Sequence, residues 1–180
     1  TALNICFRLK EDMAESAARV KIIFAGTAAA AVSAVCILAA WRQTQVTEAL
    51  YYTEKMCYEQ DTSIARELIT RIDEVRGHNW YPVVIIGTYG FKENHACVLG
   101  ETIGRSFFEH DADVEPRFYW STRRALGLMH VLGYNYEQVV EPEMIAIAME
   151  DSKYMPEWPN EGCVQVYDDM IIVKMSDFDE

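Results

Sequence analysis

The chain has 180 residues, with 28 Asp or Glu against 16 Lys or Arg and a formal net charge of −12. So acidic a surface repels phosphate backbones and anionic headgroups, which argues against nucleic-acid partners and against adsorption flat onto a membrane. Five cysteines without a CxxC pair and four scattered histidines suggest no disulfide scaffold and show no metal-ligand spacing, so neither a metal nor a cofactor is expected.

Residues 1–21 form a short leader carrying Arg8, Lys10, Arg19 and Lys21. Ile22 to Trp41, IIFAGTAAAAVSAVCILAAW, follows as twenty residues without a charge. At about 1.5 Å per residue a helix of that length spans roughly 30 Å, the thickness of a bilayer's hydrocarbon core. A buried Ala-rich helix of a soluble protein would carry a polar stripe at a 3.6-residue period, and none is visible. Small residues suit a transmembrane helix packed against other helices of the same protein. The run also exceeds the apolar region of a cleaved signal peptide. Basic residues gather before the run, which predicts a cytoplasmic leader and a C-terminal region outside the cell membrane. Trp41, Tyr51 and Tyr52 stand near the outer exit, where aromatic rings favour the interface. The start at Thr1 suggests a fragment or a processed product.

Residues 42–76 read as a long exit helix, either one piece or two in line with a cap at Asp61-Thr62-Ser63. Val46, Leu50, Cys57, Ile64, Leu68, Ile72 and Val75 form its apolar stripe, with Thr53 and Gln60 or Asp61 at the weaker places. Gly77 ends it. Residues 77–180 carry too few residues for two domains and predict one small extracytoplasmic α/β domain. Tyr81 to Thr88 is a β-branched run expected as a buried central strand. Residues 89–118 show little periodicity and read as a long functional or partner-facing segment. Arg123 to Leu132 predicts a helix, Tyr134 to Val140 a short extended stretch, and Pro142 to about Ser152 a further helix. Cys163–Tyr167 and Met170–Lys174, joined at Asp168-Asp169, predict a C-terminal β-hairpin. The fold class is therefore α/β: a transmembrane helix and a long amphipathic helix, then a small domain with a short mixed sheet.

Chemistry-bearing patterns are sparse. Gly87-Thr-Tyr-Gly90 lacks the third glycine of a dinucleotide loop, and no G-x-S-x-G elbow occurs. The densest titratable cluster is Arg105, Glu109, His110, Asp111, Asp113, Glu115 and Arg117. Glu109 and Asp111 share a face if extended and could serve as an acid/base or metal pair, against the plainer reading of a solvated loop. Aromatic rings at Trp80, Tyr119, Trp120, Tyr134, Tyr136, Trp158 and Tyr167 could stack on sugars or simply fill the core. Trp158, between two prolines, fits a plug for a structural loop. Candidate glycan or partner contacts are Arg105, Glu109, Asp111, Trp120, Arg123 and Trp158.

Three motifs stand in order: Gly104-Arg-Ser-Phe-Phe-Glu-His-Asp111, then Thr122-Arg-Arg with His130-Val-Leu-Gly-Tyr134, then Met155-Pro-Glu-Trp-Pro-Asn-Glu-Gly162 leading to Val173-Lys-Met-Ser-Asp177. Together with the helix Tyr58–Ile72 and the strand Val83–Gly87, they resemble the C-terminal end of GtrII-type glucosyltransferase-domain membrane proteins, over about residues 20–178. The resemblance implies a polytopic enzyme that moves glucose from a lipid-linked sugar, polyprenyl-phosphate glucose, to a cell-surface glycan. It implies catalytic acids in an early extracytoplasmic loop outside this sequence, so no catalytic residue is carried over. The alternative is a membrane-tethered extracytoplasmic binding or sensing module with no enzymatic activity.

Overall fold

The structure is a computed structural model that describes residues 2–100, 102–109 and 117–177, with the side chains of 2–15, 17–18 and 117–121 left aside. Its contacts divide the chain into two units, Thr1–Glu48 and Ala49–Glu180. Helix α1 (Ala2–Arg76) supplies all of the first unit and the opening element of the second.

In the first unit every residue from Arg19 to Glu48 is exposed. Phe24 is 75 % and Ile37 69 % exposed. This helix is long and apolar enough to cross a membrane, and none of its apolar window is buried against protein. Three of its threonine hydroxyls bond back to the helix: Thr27 donates to the Phe24 carbonyl at 2.9 Å, Thr44 to that of Ala40 at 3.0 Å and Thr47 to that of Gln43 at 2.9 Å. Such back-bonding is what an apolar surround demands of a polar side chain.

The second unit is a three-layer α/β domain. Strands β1 (Val83–Ile86), β2 (Val164–Tyr167) and β3 (Met170–Lys174) form one sheet in the order β1-β3-β2. β1 pairs parallel to β3, with Val83 opposite Ile171 and Ile86 opposite Lys174. β2 pairs antiparallel to β3 through a two-residue turn, Asp168 and Asp169, both at positive φ (38° and 65°). Two positive-φ residues match the right-handed twist of a hairpin, and Asp tolerates them better than most residues.

Side chains alternate across the sheet and split the core in two. One face, with Val83, Ile85, Ile171 and Val173, packs on Ile64, Leu68 and Ile72 of α1 and on Ala125 and Met129 of helix α2 (Arg117–Val131). The other face, with Val84, Ile86, Met170 and Ile172, packs on Ile145 and Ala148 of helix α3 (Pro142–Ser152). Leu68, Ile72, Ile171 and Ile172 are fully buried, and truncating any one to Ala should cost about 2–5 kcal/mol.

The α/β class, the hairpin and α3 stand as the sequence predicts; two local expectations do not. Of the two readings of residues 42–76, the single helix holds: α1 runs unbroken through Asp61-Thr62-Ser63, with no cap there. The buried Asp61 side chain faces the domain instead of capping a helix. α2 begins at Arg117 rather than Arg123, which puts Thr122 inside the helix, where its hydroxyl bonds both backbone groups of Ile85. β1 is buried but not central; β3 is the middle strand. The free side of β1 is covered by the extended stretch before Val140, where Val83 donates to Glu137 at 2.7 Å and accepts from Val139 at 3.1 Å. That cover removes the exposed edge, which is why the sequence there looks like a central strand.

Candidate functional site

The segment between β1 and residue 109 has no regular structure, yet it is held to α1 at five successive places. Tyr52 accepts from Asn94 at 3.3 Å, and the Thr53 hydroxyl accepts from the backbone N–H of Val98 at 2.8 Å. Glu54 accepts from the N–H of Gly104 at 2.9 Å. Gln60 donates to the Gly90 carbonyl at 3.3 Å and accepts from the Lys92 N–H at 3.0 Å. Asp61, fully buried, accepts from the Ser106 hydroxyl at 2.6 Å and the Phe107 N–H at 2.7 Å. A buried loop backbone must find partners, and here helix side chains supply them. Gly104 is required where the loop turns, because at φ 77° an added Cβ would meet Leu99 at 2.6 Å.

Burial raises the Asp61 carboxyl above its ordinary range, against the lowering effect of the Ser106 and Phe107 hydrogen bonds. The Arg124 guanidinium closes the other side of this corner, donating to the carbonyls of Glu109 at 3.2 Å and Ser106 at 3.3 Å. The neighbouring Cys57 thiol is pushed up to about 12, first by burial and then by the charges of Asp61 and Glu54. A thiol held so high is no nucleophile at neutral pH.

Two clefts open beside this corner. The larger, about 440 Å³, runs along α1 between Tyr51, Tyr58, Lys55 and Glu54 and ends at Arg105 and Phe107. The smaller, about 270 Å³, lies under the loop and brings Arg105 and Glu109 together with Phe91 and Ile103. Among the sequence candidates, then, Arg105 and Glu109 share a cleft. Asp111 lies outside the described residues, and so does the side chain of Trp120, whose backbone sits in the first turn of α2. Arg123 is on the exposed side of α2. Trp158 is 8 % exposed, a core residue roofed by the Arg71 guanidinium at 4.6 Å, and lines neither cleft.

A third cavity, about 520 Å³, sits at the carboxyl ends of the parallel strands β1 and β3, floored by Ile86 and Met149. Its buried lysine, Lys174, donates to the Met155 carbonyl at 3.0 Å and pairs with Asp177 at 2.6 Å. The chain closes tightly there, since a Cβ on Gly87 would stand 2.3 Å from the Ser176 carbonyl oxygen.

Sequence reasoning passed over Thr53, Glu54, Arg71, Arg124 and Lys174 as anchoring groups. A signal existed for Thr53 and Asp61, polar residues in phase with Leu50, Cys57, Ile64 and Leu68: such residues are buried, and a buried polar group must hold something. Among the described residues, no group of three or more His, Cys, Asp or Glu side chains is placed to hold a metal ion. The arrangement offers recognition chemistry: open clefts with aromatic walls and hydrogen-bonding groups of both signs. Comparison with family models, with curated proteins and with solved structures gives no match.

Proposed function

We propose that this chain is the membrane-anchored, extracytoplasmic C-terminal part of a GtrII-type glucosyltransferase, serving to position the acceptor glycan. In this reading glucose comes from polyprenyl-phosphate glucose, and the catalytic acids belong to another part of the enzyme. The observation that carries the reading is the continuity of α1. The helix that is exposed and apolar over residues 22–41 becomes, with no linker, the helix whose Ile64, Leu68 and Ile72 form the domain core. The motifs on which the resemblance rests have packing roles in this domain, since Ser106–Phe108 and Trp158 are keyed into α1 by Asp61 and Arg71. The acidic surface suits a neutral glycan and disfavours phosphate-rich polymers.

The test is the glucose content of the surface polysaccharide in cells carrying the intact enzyme or one lacking residues 77–180. An alkaline phosphatase fusion at the C-terminus reports sidedness in the same cells. Loss of glucosylation with an active fusion is expected; unchanged glucosylation, or an inactive fusion on a membrane-inserted chain, sinks the reading. Glucose transfer by this chain alone would remove the non-catalytic assignment.

A second reading, a membrane-tethered binding module with no enzymatic parent, is favoured by one observation. The buried charged groups Asp61 and Lys174, and Arg71 beside them, are all engaged with loops of the domain itself. Further hydrophobic spans upstream in the reading frame support the enzyme, and a cytoplasmic signalling domain upstream supports the module.

A further inference from the structure

The turn between α1 and β1 leaves a tryptophan outside the core. Trp80 is 81 % exposed, a costly place for so large an apolar ring. It is nonetheless held. The Arg76 guanidinium lies 5.1 Å from the Trp80 ring centroid and 5.4 Å from that of Tyr136. The same Arg76 pairs with Asp73 at 3.1 Å, and the Tyr136 hydroxyl donates to the same carboxylate oxygen at 3.0 Å. Burial and the Asp73 carboxylate both raise the Tyr136 phenol, so it stays a donor. Asn79, one residue before the ring, donates to the Tyr81 hydroxyl at 2.9 Å. One ring face is thus covered by a fixed cation, and the high exposure leaves the other face to solvent.

An open ring face held from behind by a guanidinium, itself fixed by the Asp73 carboxylate, matches the apolar face of a pyranose. The sugar's C–H groups, polarised by their oxygens, pack on the electron-rich ring, while its hydroxyls both donate and accept. Pre-organisation of the ring lowers the ordering cost of binding. Other occupants fit less well. A nucleic acid brings phosphates to a chain of net charge −12. A stable protein partner needs roughly 800 Å² of surface per side, whereas the exposed neighbours here mix polar His78, Asn79 and Glu137 with half-exposed Val75 and Tyr134 and form no continuous apolar patch.

We propose that Trp80, with Asp73, Arg76 and Asn79 around it, is a saccharide-binding platform for a neutral pyranose unit of a surface glycan. The choice of a glycan rests on the acceptor-positioning reading above, but the platform is a different place from the Arg105 clefts.

The test uses the full chain in nanodiscs of zwitterionic phospholipid, titrated calorimetrically with neutral oligosaccharides of glucose, galactose, mannose and rhamnose. Wild type should bind at least one of them saturably. W80A should weaken that binding at least tenfold, a change of about 1.4 kcal/mol, with W80F recovering most of it and Y154A, at an exposed aromatic residue outside the clefts, leaving it unchanged. Because Trp80 is outside the core, W80A should fold as wild type, which its thermal transition checks. Binding in which R105A is lost and W80A is not overturns the platform while leaving acceptor positioning intact. No saturable binding by wild type overturns it as well, and the cellular glucosylation assay then decides the broader reading separately. A W80A variant that binds sugar normally but sits at a different depth in the nanodisc makes Trp80 an interface anchor, again against the platform.

Discussion

Two irregular segments are docked on α1, each with one charged side chain that collects several of its polar groups, and those two charges are opposite. Asp61 holds residues 106–108 by accepting from a hydroxyl and a backbone N–H. Ten residues on, Arg71 holds residues 158–163 by donating to the carbonyls of Pro159 at 2.8 Å and Asn160 at 3.0 Å and to the Cys163 sulfur at 3.0 Å, with Trp158 beneath it. The acid collects N–H and O–H groups from a loop that turns its donors inward. The arginine collects carbonyls from a loop that turns its acceptors inward. A helix face can therefore organise two unrelated loops with residues that would look like surface charges in isolation. Their difference is in proton chemistry: a buried carboxylate can be neutralised near physiological pH, and a guanidinium cannot.

Removing either anchor should separate them by size. Asp61→Ala leaves the Ser106 hydroxyl and the Phe107 N–H without their buried partner, so a loss of about 3 kcal/mol is expected in denaturant unfolding of the detergent-solubilised chain. A loss below about 1 kcal/mol would mean that water replaces the carboxylate. Arg71→Ala should cost less, about 2 kcal/mol, because part of its guanidinium already faces solvent; it should also shift the emission of Trp158. Should the Arg71 variant prove the weaker of the two, the carbonyl-collecting loop is the one that the domain cannot do without.

Acid sharpens the contrast. The folded Asp61 carboxyl is raised above its unfolded value, so the native state binds its proton first as the pH falls. Stability attributable to Asp61 then increases on acidification through that raised pKa and levels off below the ordinary carboxylate range. Wild type should gain on Asp61→Asn between pH 7 and pH 4, while the difference between wild type and Arg71→Ala stays flat. Parallel pH curves for both variants would place Asp61 in contact with water. The smallest effect belongs to Asp177, whose pairing with Lys174 depresses its pKa. Asp177 is largely exposed, so Asp177→Asn should change the thermal midpoint by no more than about 1–2 °C at neutral pH.

Much of this was legible in the sequence because it depends on local pattern. Ile64, Leu68 and Ile72 recur at helical spacing and are buried; Pro142 opens α3; the alternating Val164–Tyr167 and Met170–Lys174, apolar up to its lysine, flank two Asp and form a hairpin. What was not legible depends on pairing at a distance. The middle position of β3 follows from its register with β1, and composition cannot reveal register. The inward face of α2 is fixed in part by Thr122 reaching Ile85, a contact across 37 residues. For the site, Arg105 and Glu109 were nameable as a charged cluster and do share a cleft. Trp158 was nameable only as an aromatic, and whether such a ring binds or packs is decided by what lies over it. Arg71 lies over it.

The sheet order also sets a sequence of events. β3 is the middle strand, and it follows β1 by more than eighty residues. As the chain emerges from the ribosome or the translocon, α1, β1, α2 and α3 must wait with both faces of the future core open until β3 arrives. Closing so distant a pair is slow, and the wait exposes apolar surface to aggregation. On the proposed membrane reading, the apolar stretch of α1, fixed in the bilayer, would keep neighbouring copies of such a half-built domain apart.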